Sequence, residues 1–349
     1  MEPICTKLTQ LLDLRSPIVS APMAFASTPS LAAAVSAAGG LGMIAGDPTS
    51  LAHVKEQLNA VRASLNISKN QPIPVGVGFI GWRLDKPEVS GDGPISCKLL
   101  NVLEEMPVAI WLAQGVDMGK YVAQIRAYDA NRAHKTCVFV MVNCLDEALC
   151  AANDWKADVI VVQGIEAGGH CHSKAPPLLT LLEAVRTAIP SSGPCILAAG
   201  GVSSGAQIAA LLTMGADGVV LGTRFVCTHE CMYPDSVKNL LVESGIGSTT
   251  CGTIFDEVIV MPFKVEFPEG FNGRGITNKI VDDASAGLSI EERRKRVHDA
   301  KTRGDTDRMV IWAGEGVGLI KKTESTADVF AQLHRGAVAT LERSRRLLV

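Results

Sequence analysis

The chain has 349 residues, 47% of them hydrophobic and 20% charged, and its formal net charge is −3. This length is enough for one large domain or two ordinary ones, and the balanced charge gives no reason to expect nucleic acid as a partner. Gly, Asp or Pro interrupts the longest apolar stretches before about 18 residues, so no membrane span is predicted.

The cysteines and the start of the chain bear on its cellular location. Ten cysteines are present, and several of them, such as Cys137, Cys195 and Cys227, lie inside apolar runs. The first residues lack the charged segment and the apolar segment of a secretory signal. We therefore predict reduced, partly buried thiols in a cytoplasmic protein rather than a disulfide framework.

Short apolar runs alternate with amphipathic runs along the first two thirds of the chain. The apolar runs predict eight strands, at 14–21, 41–45, 74–79, 108–112, 136–142, 159–162, 195–198 and 218–221. The amphipathic runs predict helices between them, at 30–38, 48–63, 96–105, 117–129, 145–153, 177–188 and 204–214. Thr28 and Asp117 suit the N-caps of the first and fourth of these helices.

The number of repeats indicates the fold class. Eight strands, each followed by a helix or by a loop that leads to one, predict an α/β protein with a parallel sheet. Eight repeats favour a closed (β/α)8 TIM barrel over an open doubly wound sheet. No strand is followed by the glycine pattern of a dinucleotide-binding turn, which disfavours the open alternative. In such a barrel the catalytic groups lie at the C-terminal ends of the strands.

The alternation of strands and helices is lost near the C-terminus, between about residues 234 and 314. Ser289 to Lys301 forms a strongly charged helix whose acidic start and basic continuation suit a solvated surface. We interpret this region as a lid. The sequence predicts a barrel over 1–233, a lid or insertion subdomain over 234–311, and a return to the barrel over 312–349 that ends in a packing helix at 327–341.

Residues 159–172, VIVVQGIEAGGHCH, carry the strongest candidate for a catalytic group. A buried strand ends in Gln163, and Gly168 and Gly169 allow the backbone to pass close to a ligand. His170 can exchange a proton near neutral pH, so we predict that it is catalytic, with a purely structural histidine as the alternative. Cys171 lacks a marked base that would make it a nucleophile, and a metal site at these residues lacks a second ligand cluster.

Residues 198–225 carry the second candidate feature, a pair of glycine-rich strand ends. Gly200 and Gly201 follow one predicted strand, and Gly222 and Thr223 follow the next. The loops after the seventh and eighth strands of such barrels often bind phosphate, because bare backbone N–H groups attract an anion. The sequence therefore predicts a phosphate site, to which Arg224 could add charge. Tight barrel turns are the structural alternative.

Taken together, these segments resemble the nitronate monooxygenase family. The resemblance rests on PIVSAPMA at 17–24, QGIEAGGH at 163–170, AAGGVSSG at 198–205, GADGVVLGTRF at 215–225 and WAGEGVGL at 312–319. It implies a (β/α)8 barrel that holds non-covalent FMN, with His170 as the active-site base. It further implies that the cofactor is bound by Ala21, Pro22, Met23, Gln163, Gly168, Gly169, Gly200, Gly201, Leu221, Gly222 and Thr223.

The resemblance also implies an activity. An alkyl nitronate would give up an electron to FMN, O₂ would reoxidise the flavin, and a carbonyl compound and nitrite would result. His170 would remove the α-proton when a neutral nitroalkane is the substrate. Two alternatives share the scaffold: an NAD(P)H-dependent quinone or enoyl reductase, and an FMN-binding barrel without catalytic activity.

Overall fold

Eight parallel strands form one sheet in the computed structural model, which describes residues 2–46, 50–86, 95–259 and 267–348. In chain order the strands are β1 (Ile18–Ser20), β2 (Gly42–Ala45), β3 (Ile73–Ile80), β4 (Pro107–Ala113), β5 (Cys137–Val142), β6 (Val159–Gln163), β7 (Gly169–His172), β8 (Cys195–Ala199), β9 (Gly218–Leu221), β10 (Thr249–Gly252) and β11 (Phe271–Ile276). The barrel contains all of these except β7, β10 and β11, so the eight predicted strands are confirmed.

The sheet closes on itself at its first two strands. Its order is β1-β9-β8-β6-β5-β4-β3-β2, and a parallel bridge joins Val19 to Leu41 across the remaining gap. The Ser20 N–H donates to the Leu41 carbonyl at 3.1 Å, and the Leu41 N–H donates to the Ile18 carbonyl at 3.1 Å. The predicted (β/α)8 barrel is therefore confirmed.

Helices cover the outside of the barrel and continue beyond it. They are α1 (Lys7–Leu12), α2 (Pro29–Ala37), α3 (Leu51–Leu65), α4 (Gly81–Leu84), α5 (Ile95–Leu103), α6 (Gly119–Ala130), α7 (Leu145–Asn153), α8 (Leu178–Ala188), α9 (Gly205–Thr213), α10 (Thr223–Val226), α11 (Asp235–Glu243), α12 (Lys279–Ser285), α13 (Ile290–Arg303) and α14 (Thr326–Arg345). None of the helices in the described ranges is long and apolar enough to cross a membrane.

Local capping explains where some of these helices begin. Thr28 caps α2 as predicted, since its hydroxyl accepts the Leu31 N–H at 3.0 Å. The prediction that Asp117 caps α6 is wrong, because Met118 takes the N-cap position and makes no side-chain capping bond. The predicted helix start at Pro48 lies outside the described residues, and Ser50 caps α3.

Two apolar layers hold the barrel together. Alternate residues of the strands face inward and form one buried cluster, whose large members include Met43, Trp111, Phe139, Met141 and Leu197. The other residues of each strand pack against the surrounding helices in a larger cluster. Leu8 of α1 belongs to the inner cluster and closes the N-terminal end of the barrel, next to Gly218 at the start of β9.

The region after the barrel has its own small sheet. Strands β10, β11 and β7 pair in that order, and both pairings are antiparallel. Because β7 directly follows β6 in the chain, this sheet ties residues near 250 and 270 to the end of a barrel strand. The final helix α14 packs against α9, where Gly205 and Gly336 allow the two backbones to approach closely. The division into 1–233, 234–311 and 312–349 stays a prediction.

Candidate active site

Small side chains and two amides form the last inward-facing layer at the C-terminal mouth of the barrel. Side chains alternate along a strand, so the residue two positions beyond a buried inward-facing one also points into the barrel. By this rule the layer contains Ala21, Gly78, Ala113, Asn143, Gln163 and Gly222. The layer beneath it is filled by bulky residues, including Trp111, Phe139 and Met141. The bulky layer therefore forms a floor beneath the small residues and the two amides of the mouth.

The turn after β1 lines one side of this mouth. Its conformation is fixed by Ser27, whose hydroxyl accepts the Met23 N–H at 2.9 Å and donates to the Ala21 carbonyl at 3.3 Å. Pro22 lies over Gly78, where an added Cβ would come within 2.5 Å of the proline ring. A Cβ on Gly222 would meet only the Met23 sulfur at 3.6 Å and the Ala21 Cβ at 3.9 Å. The structure thus brings Ala21 and Met23 next to Gly222, and Pro22 next to Gly78.

Gln163 ends β6, and Asn143 holds its amide in one orientation. Asn143 Nδ2 donates to the Gln163 backbone carbonyl at 3.0 Å and to Gln163 Oε1 at 3.1 Å. Asn143 is only 4% exposed, and its Oδ1 accepts the His172 N–H at 3.3 Å. Within the described ranges the Gln163 amide nitrogen donates to no protein group, so it faces the mouth as an unused hydrogen-bond donor.

The predicted phosphate glycines meet at the ends of β8 and β9. Gly200 and Gly201 have φ of +119° and +66°, which favours glycine at both positions. Among the described residues, the backbone N–H groups of Gly201 and Gly222 have no acceptor. The Thr223 hydroxyl accepts the Gly314 N–H at 2.9 Å, which leaves its own proton free to donate. These groups form a set of donors suited to an anion.

Two residues of this segment point away from the mouth. The Leu221 side chain is buried among the residues that pack against the helices, so only its backbone could contact a cofactor. Arg224, whose charge we expected at the phosphate, is 8% exposed and pairs with Glu324 at 3.3 Å. Burial lowers the pKa of the Arg224 guanidinium, and Glu324 opposes this effect.

Gly168 has a packing role that the sequence does not show. A Cβ on Gly168 would lie 2.5 Å from the Gly314 nitrogen and 2.6 Å from the Ala313 carbonyl carbon. The segment that follows Trp312 therefore runs directly against the turn before β7. Gly169 is different, because it has φ of +74° and no atom within 4 Å of an added Cβ. Of the two predicted cofactor glycines on this turn, only Gly169 faces open space.

His170 lies over the barrel mouth because β7 crosses the ends of neighbouring strands. Gln114, just beyond β4, donates from Nε2 to the His170 carbonyl at 2.8 Å, and it adopts a left-handed backbone with φ of +56°. The His172 N–H bonds Asn143 beyond β5. On its other side, β7 pairs with β11, where His170 lies opposite Gly273. The His170 Nε2 lies 2.9 Å from Asp256 Oδ1.

Cys171 and His172, which follow His170, form hydrogen bonds with other groups of the protein. Cys171 is fully buried, and its thiol hydrogen-bonds the sulfur of Cys251. This bond raises the pKa of Cys171, and together with Arg274 it lowers the pKa of Cys251 to about 7. His172 accepts the Lys174 N–H through Nδ1 at 3.2 Å. No group of three or more metal-ligating side chains is found in the part of the chain that the structure describes.

Sequence reasoning missed Gln114, Asn143 and Asp256. The first two follow apolar strands at the mouth end, the position at which Gln163 attracted attention, so the same pattern could have identified them. Asp256 lies in a short 3₁₀ helix, Asp256–Val258, far from any barrel strand in sequence. No local signal links it to His170.

A family model and a similar protein of known name identify the family. The family model described as "Nitronate monooxygenase" matches residues 5–77 and 96–336. A nitronate monooxygenase from Neurospora crassa is 31% identical over 359 residues, which cover 93% of this chain and 90% of that protein.

Solved structures extend the likeness to three dimensions. A nitroalkane oxidase from Streptomyces ansochromogenes is 25% identical, with a TM-score of 0.75 over 98% of this chain and 99% of that one. FabK from Thermotoga maritima superposes with a TM-score of 0.78 at 24% identity, over 99% of both chains, which establishes the shared fold.

Proposed function

The chain belongs to the nitronate monooxygenase family of oxidoreductases, which is generally flavin-dependent, and on that premise we propose that it oxidises alkyl nitronates with O₂ to carbonyl compounds and nitrite, using FMN. The substrates are small molecules, and neutral nitroalkanes are included where His170 removes their α-proton. A cytoplasmic location remains part of this proposal and rests on the cysteines that lie in apolar strands.

The single observation that supports this proposal best is the position of His170 above a layer of small side chains. The imidazole lies on β7, which is held across the ends of β4 and β5. Beneath it the mouth offers a floor of bulky residues and a recess beside Ala21 and Gly222. The absence of large side chains around Gly222 in the described part of the chain suits a flat ring system.

The donors around the recess also suit FMN. The free Gln163 amide nitrogen can donate to a carbonyl on the edge of an isoalloxazine ring. The N–H groups of Gly201 and Gly222 and the Thr223 hydroxyl can donate to a phosphate. Met23 and Pro22 would bound the ring from the side of β1. We keep Gly168 in the proposed cofactor site because it lies on the turn before β7. The close approach of Gly314 already accounts for its lack of a side chain.

The protein residues have defined tasks in this reaction. When bound, FMN supplies a centre that accepts an electron from the nitronate and passes it on to O₂. The imidazole of His170 can take the α-proton of a neutral nitroalkane, leaving the electron pair of the C–H bond in the C=N bond of the nitronate. Phe267 and Trp312 pack against the imidazole and restrict water around it.

The test is to purify the protein aerobically, record its visible spectrum, and follow oxygen uptake and nitrite release with propionate 3-nitronate. We expect a flavin spectrum, rapid oxygen uptake and nitrite. A His170→Asn variant should keep turnover of the preformed nitronate and lose turnover of the neutral nitroalkane, because an anion needs no base.

Two results would contradict this proposal. A flavin spectrum without nitronate turnover, combined with rapid bleaching by NADH or NADPH, would assign the protein to the reductases that share this scaffold. A colourless protein that cannot be reconstituted with FMN would remove the cofactor on which the proposal depends.

A further inference from the structure

His170 is held by a carboxylate at one ring nitrogen and by two aromatic rings, all from residues distant in sequence. Its Nε2 lies 2.9 Å from Asp256 Oδ1, and the two side chains are 11% and 19% exposed. Phe267 stacks on the imidazole with 3.5 Å between ring centroids and 9° between planes. Trp312 lies on the ring at 4.7 Å with a 60° tilt. A surface histidine with free rotamers would show none of this restraint.

We propose that Asp256 is a positioning residue that sets the tautomer and orientation of His170 for proton abstraction, an inference that rests on the proposed function. An ionised carboxylate only accepts hydrogen bonds, so the Nε2 that faces it carries the proton. The basic lone pair then belongs to Nδ1, which has no hydrogen-bond partner among the described residues. Without Asp256 the two tautomers would interchange, and only one of them presents a base at Nδ1.

Proton transfer to Nδ1 produces an imidazolium, and Asp256 stabilises it. The C–H bond of the nitroalkane breaks, its electron pair enters the C=N bond of the nitronate, and the proton bonds to Nδ1. The ring is then protonated on both nitrogens, and its positive charge lies beside the Asp256 carboxylate. Coulomb attraction between these opposite charges is then added to the hydrogen bond, so the contact strengthens as the proton moves.

The residues before and after Asp256 in the sequence hold it in place. Phe255 and Val258 are fully buried, and the Glu257 carboxylate bonds Arg293 at 2.6 Å. The Glu257 backbone carbonyl accepts Arg294 Nε at 2.8 Å. Both arginines belong to α13, the charged helix that the sequence suggested was merely solvated. Two of its cations therefore hold the short 3₁₀ helix that presents Asp256.

The other charged groups near His170 are directed elsewhere. Strand β11 places Gly273 opposite His170, and the next residue, Arg274, pairs with Glu315 at 3.1 Å and donates to the Ile165 carbonyl. From the remaining elements Phe267 and Trp312 contribute uncharged rings. Within the described ranges, Asp256 is the charged side chain that contacts the imidazole.

The experiment compares Asp256→Asn with the wild-type holoenzyme on two forms of one substrate, nitroethane and ethyl nitronate. General-base catalysis contributes about 10²–10⁴-fold, so we expect kcat for nitroethane to fall about 100-fold and kcat for ethyl nitronate to change less than about threefold. KM should change little, because Asp256 acts through the base. Asp256→Glu keeps the carboxylate and should restore part of the loss. Asp282→Asn changes an exposed carboxylate on α12 and serves as the matched control.

A second measurement is independent of turnover. Long-range ¹H–¹⁵N NMR on the imidazoles, with the His170 signals assigned by His170→Asn, should show the Nε2–H tautomer in the wild type and a mixture in Asp256→Asn. Equal loss of both activities, loss of neither, or an Nδ1–H tautomer in the wild type would overturn the inference. Failure of the wild type to oxidise any nitronate would instead contradict the proposed function.

Discussion

Asn143→Ala tests whether the mouth of the barrel recognises a cofactor through Gln163. The substitution removes three hydrogen bonds, to the Gln163 carbonyl at 3.0 Å, to Gln163 Oε1 at 3.1 Å and from the His172 N–H at 3.3 Å. The bond to Oε1 is the one that orients the Gln163 amide. Without it the side chain can rotate and no longer keeps its NH₂ group directed at the mouth.

The expected magnitudes differ for cofactor binding and for folding. A neutral hydrogen bond contributes about 0.5–1.5 kcal/mol, so losing the orientation of Gln163 should cost about 1 kcal/mol of FMN binding, or about a fivefold rise in Kd. Folding should suffer more, because the Gln163 carbonyl and the His172 N–H each lose a partner. At about 1–3 kcal/mol for each of these two groups, the free energy of unfolding of the apoprotein should fall by about 2–6 kcal/mol.

The assay is a fluorescence titration of FMN into apoprotein, made with Asn143→Ala, Gln163→Ala and the double variant. If Asn143 acts through Gln163, its substitution has little further effect once Gln163 is already alanine, and the cycle shows a coupling energy of about 1 kcal/mol. Cys144→Ala is the control, because Cys144 is exposed and makes no capping bond to α7. Fully additive effects, or an unchanged Kd in Asn143→Ala, would refute the reasoning.

Two further predictions concern pH. The pKa of Cys251 is lowered to about 7 by the hydrogen bond from Cys171 and by Arg274, so alkylation of Cys251 by iodoacetamide should rise through pH 7 rather than through the usual pH near 9. Peptide mapping by mass spectrometry measures this, and Cys171→Ala, which removes the donor, should move the midpoint upward. Burial lowers the pKa of His334, whose ring bonds the Ser16 hydroxyl. As pH falls through about 6.5, the unfolded chain therefore binds more protons than the folded protein, and the free energy of unfolding decreases. Urea titrations between pH 5 and 8 should show this decrease in the wild type and a smaller one in His334→Gln.

The sequence alone determined the barrel strands and the glycine-rich ends around its mouth. Buried strands and amphipathic helices differ in the spacing of their apolar residues, which is a local property that can be followed along the chain. For this reason the predicted strand at 218–221 agrees with β9 and the predicted helix at 145–153 agrees with α7. The positions of Gln163 and His170 at the mouth followed from the general rule that catalytic groups lie at the C-terminal ends of barrel strands.

Tertiary structure alone decided which partners these residues have. Asp256 lies 86 positions from His170 in sequence, and Asn143 lies 20 positions from Gln163. The path of the chain through space brings each pair together, and no spacing of residue types records that path. The charged helix α13 shows the same limit. The local sequence does not distinguish a solvated arginine from one that is buried against a carboxylate. Arg293, which is buried against Glu257, is an example that only the fold reveals.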